Sequence, residues 1–372
     1  MRLYLTSRMK EIITGITVPF ILIVGLGGSE LAFRLQQGRL FGVQETVGKT
    51  QNSFYYIDEE TGLRLPRPGS RHGRIYINDQ GFRGPNLEVP KPAGAVRIAY
   101  IGTSTTYDAD AGVEENTWPA VTTATLERIV PECSFEYLNA GVPGFHSKHI
   151  FTRFQAQVVP MEPDLVVVLT NDLNGDGRAQ AQDAGIWDKH RYKPSLLAEH
   201  SLVWAKIEKN LFILKLQRQS HNPNGKLDMD ITQIEGQYRD NLRKLLEETT
   251  EAAGQTVVLN IATRFRAGQT RDEQTDAASS RLFYMPYATV PDIVAAIDGY
   301  NEVIGELAGM PGVTIVDPTV VLPPDSIHFA DTSHTTARGS RVLGEYLGEM
   351  LASDSNFHSL VEKINPGCMN AN

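Results

Sequence analysis

Five short apolar runs punctuate the chain: RIAYIG (97–102), SFEYLNA (134–140), DLVVVLT (164–170), TVVLNI (256–261) and VTIVD (313–317). DLVVVLT is the most continuous of them. Unbroken apolar character over so few residues is the mark of a strand buried on both faces. The segments between them follow a helical period instead. Trp118 to Val130 places Leu126 and Ile129 on one face, and helices are predicted after Ser147, over Ile231 to Ala253, over 290–309 and over Thr335 to Ala352. Strands alternating with helices predict an α/β domain of three layers, with a central parallel sheet of about five strands between helices. Such sheets bind ligands at the carboxyl ends of their strands.

Outside this alternation the pattern weakens. Residues 35–94 are rich in Gly, Pro and Arg, and INDQGFRGPNLEVPKPAGAVR (77–97) carries several turn signals. Residues 178–230 are irregular apart from LVWAKIEKNLFILKL (202–216), which reads as a helix packed in the core, with a lid or a membrane-facing flap as the alternative. Near the start, Ile12 to Ser29 holds no charged residue. At about 1.5 Å per residue this run reaches about 27 Å, close to the ~30 Å hydrocarbon core of a bilayer. Arg2, Arg8 and Lys10 precede it, which places the N-terminus on the cytoplasmic side of a single transmembrane helix. A cleaved signal peptide, given the small Gly27, Gly28 and Ser29, and a buried core helix are the alternatives. The expected organisation is a cytoplasmic N-terminus (1–11), a transmembrane anchor (12–33), an irregular collar (34–94), a catalytic domain (95–355) outside the cytoplasmic membrane, and a C-terminal tail (356–372).

Composition narrows the function. The 372 residues suffice for a large core, and a formal charge of −9 argues against nucleic acid as a partner, since phosphate binding needs a basic surface. Cys133 and Cys368 are the only cysteines and form no CxxC, so a cysteine zinc site is not expected. They can pair in an oxidising compartment, although Cys133 reads as a thiol buried beside a strand.

The candidate chemistry lies where the strands end. Ser104 follows the first strand in Gly102-Thr103-Ser104-Thr105, Gly144 follows the second, Asn171 the third, and His334 comes after the fifth in Asp331-Thr332-Ser333-His334. The sheet offers all four to one edge. A serine hydroxyl needs a neighbouring base, which His334 can supply, and Asp331 can hold the imidazole tautomer. The N–H groups of Ser104 and Gly144 and the side-chain amide of Asn171 can point at one oxyanion. Taken singly, Ser104 is a helix cap, Gly144 a turn residue and Asn171 loop chemistry. Their joint order carries the reading.

That order resembles the SGNH (GDSL-like) hydrolase superfamily over about residues 95–352. RIAYIGTSTTY carries Ser104, LNAGVPGFHS carries Gly144, PDLVVVLTNDLN carries Asn171, and DTSHTTARGSRVLGEYL carries Asp331 and His334. The stretch NDQGFRGP…PKPAGAVRIAYIG is similar to that of membrane-tethered bacterial members. The resemblance implies a flavodoxin-like fold and a serine esterase that needs no cofactor or metal. Its partners would be an ester-bearing small molecule, glycan or lipid, with O-acetyl on a glycan the leading substrate. An O-acyltransferase of extracellular polysaccharide and a catalytically silent glycan-binding or assembly module are the alternatives. Two positions depart from the family pattern: Thr103 replaces the aspartate of Gly-Asp-Ser, and Leu169 replaces the glycine of Gly-x-Asn-Asp.

Several other features compete for attention. Asp325-Ser326-Ile327-His328 repeats the acid-histidine spacing, but the family's glycine five residues after the histidine is Gly339, which selects His334. Asp172, Asn174, Asp176 and Asp183 imitate a calcium loop, against which stand the short Asp at the twelfth position and Ala179 at the eighth. His72, His146 and His149 have no metal-ligand spacing, although His146 and His149 flank the second block. Arg83 reads as half of a structural salt bridge, or else as a contact for an acidic substrate.

Overall fold

The computed structural model describes residues 54–370 together with residues 25, 27–32 and 34–35. The chain divides into two compact units, residues 1–51 with 192–212 and residues 52–191 with 213–372.

The larger unit opens with two small antiparallel hairpins, β1 (Tyr55–Ile57) with β2 (Arg64–Pro66) and β3 (Arg71–His72) with β4 (Ile75–Tyr76). The central sheet follows: β5 (Ala95–Gly102), β6 (Ser134–Asn139), β7 (Leu165–Leu169), β8 (Thr256–Leu259) and β9 (Val313–Val316). All neighbours are parallel, in the order β6-β5-β7-β8-β9. This is the doubly wound order, in which the connections leave in opposite senses on either side of the first strand and open a crevice at the carboxyl ends. Every residue of β5, β7 and β8 is buried, as the unbroken apolar runs require.

The helices are α1 (Ser104–Tyr107), α2 (Trp118–Ile129), α3 (Ser147–Arg153), α4 (Leu173–Asp183), α5 (Trp187–His190), α6 (Leu196–His200), α7 (Leu202–Arg218), α8 (Ile231–Ala253), α9 (Arg271–Ala277), α10 (Ser279–Tyr284), α11 (Val290–Glu306), α12 (Ala337–Ser353) and α13 (Ser355–Ile364). On one face of the sheet, Val96, Ile98, Tyr100, Val167, Leu169 and Val257 share a core with Trp118 and Leu126 of α2 and Leu343, Leu347 and Leu351 of α12. On the other, α8 lies against β7 and β8 and packs with α11, burying Tyr238, Leu242, Leu245 and Leu246. Residues past 355, expected as a tail, form α13, whose Phe357 and Val361 join the first core.

Two expectations change. Cys133 is not a free buried thiol: it is joined to Cys368 by a disulfide with a Cα–Cα distance of 5.0 Å. Helix α7 is not a core helix over its N-terminal part: Trp204, Ile207 and Leu211 are exposed, and Leu216 is its one buried residue. Arg83, by contrast, is half of a structural salt bridge, as the first of its two readings has it. It is 1% exposed, and it donates to Glu114 at 2.8 Å and to the carbonyls of Tyr107, Asp108 and Gly112. Its backbone also pairs with Asn139, so the segment before the sheet is tied to the end of β6 and to the loop after α1.

In the smaller unit, the carboxylate of Glu30 accepts from the backbone N–H groups of Leu202 (3.1 Å) and Val203 (3.0 Å) and from Ser201 Oγ (2.9 Å), capping α7. Leu31, Leu35, Leu196, Leu197 and Leu211 of this unit are exposed. No helix among the described residues is long and apolar enough to cross a membrane, and most of Ile12 to Ser29 lies outside the described residues.

Candidate active site

At the carboxyl end of the sheet, β5 gives way to α1 at Thr103, and Ser104 is the first residue of that helix. The loop after β6 turns between Val142 and Phe145, closed by a 3.2 Å backbone hydrogen bond. Gly144 is the third residue of this turn with φ +86°, a conformation that an L side chain adopts only under strain. Asn171 follows β7, and the segment after β9 brings Asp331 and His334 to the same place just before α12.

His334 Nε2 lies 2.8 Å from Ser104 Oγ. Its Nδ1 lies 2.9 Å from Asp331 Oδ2, while Asp331 Oδ1 accepts from the backbone N–H groups of Ser333 and His334, each at 2.9 Å. Burial alone would raise the pKa of Asp331. The hydrogen bond and charge of His334 and the two N–H groups outweigh it and hold the carboxyl well below the ordinary range. For His334, burial pulls the pKa down, but the hydrogen bond and charge of Asp331 prevail and raise it. The arrangement provides a hydroxyl donor, a base and a fixed anion in series.

Ser104, Gly144 and Asn171 line one pocket of about 730 Å³ with His334 and Asp331. The side-chain oxygen of Asn171 accepts from Leu173 N at 3.1 Å, which fixes the amide plane. Among the described residues, the backbone N–H groups of Ser104 and Gly144 have no protein acceptor. Beside Asn171, buried Asp172 accepts from Ser147 N (2.8 Å), Ser147 Oγ (3.0 Å) and Thr170 Oγ1 (3.3 Å), fastening the β7–α4 corner to α3.

The calcium-loop pattern folds into helix α4, which cannot wrap its oxygens around a cation. Asp172 is spent on Ser147, Asp176 Oδ2 accepts from Tyr300 at 2.6 Å, and Asn174 Oδ1 accepts from Arg281 at 2.7 Å. The second acid-histidine pair also exists, with His328 Nδ1 2.9 Å from Asp325 Oδ1, but His328 is buried outside the pocket. His146 and His149 do line the pocket, with ring centroids 3.8 Å apart, and burial lowers both of their pKa values.

Some residues gave no signal in the sequence. Asp108 is buried behind the site, where its carboxylate accepts from Trp118 N (3.0 Å), Ser340 Oγ (2.9 Å) and Thr335 Oγ1 (3.2 Å). It joins α1, α2, α12 and the residue after His334. Arg281 enters the pocket from α10, a stretch with no strand or motif to mark it.

Residues 100–342, more than half of the chain, match the GDSL-like Lipase/Acylhydrolase family. No curated protein matches the chain. Among solved structures, an acetylxylan esterase from Geobacillus stearothermophilus is similar at 17% identity and a TM-score of 0.41, over 68% of this chain and 94% of that one. An alpha/beta hydrolase enzyme from the metagenome of Lake Arreo, Spain, is similar at 14% identity and 0.43, over 74% and 97%. Likeness at this level bears on neither the substrate nor the site residues. The extent of the family match, over a parallel sheet with helices on both faces, shows that the chain belongs to the GDSL-like lipase/acylhydrolase family and is an ester hydrolase of the SGNH type.

Proposed function

We propose that the chain is a serine esterase that removes a small acyl group, such as O-acetyl on a glycan, through an acyl-enzyme. The carrying observation is the hydrogen-bonded series Ser104 Oγ, His334, Asp331. In this reading His334 Nε2 takes the Ser104 proton as Oγ attacks the ester carbonyl. Asp331 keeps the Nδ1 proton in place and stabilises the imidazolium. The developing oxyanion is held by the N–H groups of Ser104 and Gly144 and the amide of Asn171, donors that typically contribute about 2.7–4 kcal/mol each. His334 returns the proton to the leaving alcohol, and water enters by the same route in reverse to free the acid. Thr103, in the place of the family's aspartate, is buried and paired with Thr105 Oγ1 at 3.1 Å, and it takes no part in this scheme.

The same reading places the enzyme on the outer side of a membrane, tethered by Ile12 to Ser29. The apolar run with its preceding basic residues, the exposed leucines of the smaller unit and the Cys133–Cys368 disulfide support this.

Hydrolysis of p-nitrophenyl acetate and labelling by a fluorophosphonate test the chemistry. Both are expected with the native chain and lost in Ser104→Ala. Turnover that survives in Ser104→Ala would overturn the assignment.

A further inference from the structure

A small acyl group fills little of a 730 Å³ pocket, and the rest of that pocket is not neutral ground. Helices α4 and α10 supply one wall, with Asn174 and Arg178 one helical turn apart on α4 and Ser280, Arg281 and Tyr284 on α10. Arg281 is 6% exposed yet lines the pocket. Its guanidinium donates a single described hydrogen bond, from Nη1 to the neutral oxygen of Asn174. Among the described residues no carboxylate forms an ion pair with it. The Asp331 charge reaches it, but the Asp331 oxygens are already taken by His334 and two backbone N–H groups. A desolvated cation with most of its donors unused is costly unless an anion completes it.

The surroundings point the same way. Arg178 lies over the Trp187 ring at 4.9 Å and pairs with no carboxylate among the described residues. Ser280 is committed to Thr332 at 2.8 Å. Among the described residues, the only carboxylates lining the pocket are Asp331 and exposed Asp110, which comes from the loop after α1 and not from the arginine wall.

We propose that this wall is an anion subsite for the alcohol part of the ester. Arg281 is its principal ligand and Arg178 its second, so the preferred substrate is an O-acylated sugar carrying a carboxylate or phosphate. The planar guanidinium fork matches either oxyanion with paired hydrogen bonds. The inference rests on the esterase reading for the position of the acyl group.

The experiment compares kcat/KM for O-acetyl glucuronate, O-acetyl glucose 6-phosphate and neutral O-acetyl glucose, with p-nitrophenyl acetate as an independent gauge of esterase activity. The native chain is expected to favour at least one anionic sugar by about tenfold or more, the size of effect of a charge-assisted hydrogen bond. The better of the two identifies the anion. Arg281→Gln should bring the ratio of anionic to neutral close to one, and Arg281→Lys should keep part of it. If Arg281 serves only as a counter-ion to Asp331, its loss lowers both rates and leaves the ratio unchanged, which overturns the proposal. A ratio near one in the native chain does the same.

Arg178→Gln changes an exposed residue and tests the wall even if Arg281→Gln does not fold. Should no acetyl ester be hydrolysed, the esterase reading fails by itself. Calorimetry with glucuronate, glucose 6-phosphate and glucose on Ser104→Ala then decides the subsite. Binding confined to an anionic sugar and weakened by Arg178→Gln sustains it, and absent or equal binding ends it.

Discussion

At the level of single residues the structure separates two identical acid-histidine spacings by what each histidine touches. His334 reaches Ser104, while His328 lies outside the pocket with its own aspartate. His334→Ala is therefore expected to lower ester turnover by about 10³-fold or more, and His328→Ala to leave hydrolysis intact. In the proposed mechanism His334 must be neutral to act as the base, and its pKa stands above the ordinary imidazole value. The rate of the native chain should thus rise with pH along a limb above that value. Asp331→Asn removes the cause of the upward shift and the tautomer control together, so kcat falls and the limb moves to lower pH. A pH–rate profile of both proteins checks this.

The sequence could single out Ser104, Gly144, Asn171, Asp331 and His334 as candidates because they fall in the segments that follow strands or precede a helix, and the fold brings them to one pocket. It could not single out Asp108, because a buried carboxylate between two helices has no sequence signature. Burial pushes its pKa up to about 6, against the hydrogen bonds that favour its charge. The folded state then holds its proton more tightly than the unfolded chain does. Its contribution to stability is full below about pH 4 and is lost as pH rises through about 6. Asp176, raised to about 6 by burial, acts with the same sign. Urea denaturation between pH 4 and 7 should show this decline, and Asp108→Asn should flatten part of it. Asp108→Ala should cost about 1–3 kcal/mol, since the buried Trp118 N–H loses its acceptor.

Among the elements, the contact between α2 and α12 depends on small residues. A Cβ at Gly344 would stand 2.6 Å from Val121 Cβ and 2.8 Å from the Trp118 carbonyl oxygen, and one at Gly348 would stand 2.7 Å from Thr125 Cβ. Alanine at Gly344 gains about 1 kcal/mol of helix propensity but forces apart a packed pair, which costs about 1–3 kcal/mol. Trp118 N and Ser340 in the same pair also bond Asp108, so the pair cannot simply separate. Gly344→Ala should lower the melting temperature. Gly236→Ala on α8, where a Cβ meets nothing within 4 Å, should raise it slightly.

Periodicity found the five strands and the helices α2, α8, α11 and α12 because each buries a continuous face. It misjudged α7, whose apolar residues are spread around the helix and largely exposed. It also could not see α4 as a helix, since the oxygens of Asp172, Asn174 and Asp176 that suggest a cation loop are there spent on neighbours from α3, α10 and α11. Gly339 shows how a motif position acquires its reason from packing. A side chain there would collide with the His328 carbonyl oxygen, so the glycine lets α12 begin directly against the second acid-histidine segment.

For the molecule as a whole, the least legible feature was the bond between two cysteines far apart in sequence. Cys133 lies beside the edge strand β6 and Cys368 beyond α13, at a sequence separation of 235. A pair this far apart in sequence can be assigned only when the fold brings it together. Here α13 lays Phe357 against Phe135 of β6, with ring centroids 6.2 Å apart, and carries the second cysteine to the first. Closing so long a loop removes much of the unfolded chain's freedom, and loss of such a bridge typically costs about 2–5 kcal/mol. The helix also buries its own apolar face, so it should stay docked when the bridge is cut. Reduction, or Cys368→Ser, is thus expected to lower the unfolding free energy measured by urea denaturation by that amount and to leave ester hydrolysis unchanged, because the bridge lies on the α2–α12 face and not in the pocket. The proposed tethered, outward-facing arrangement adds a second expectation. Maleimide should fail to label the protein isolated from the cells that make it until a reductant is added. Immediate labelling of both cysteines would instead place the chain in a reducing compartment and remove the disulfide's support for an extracytoplasmic enzyme.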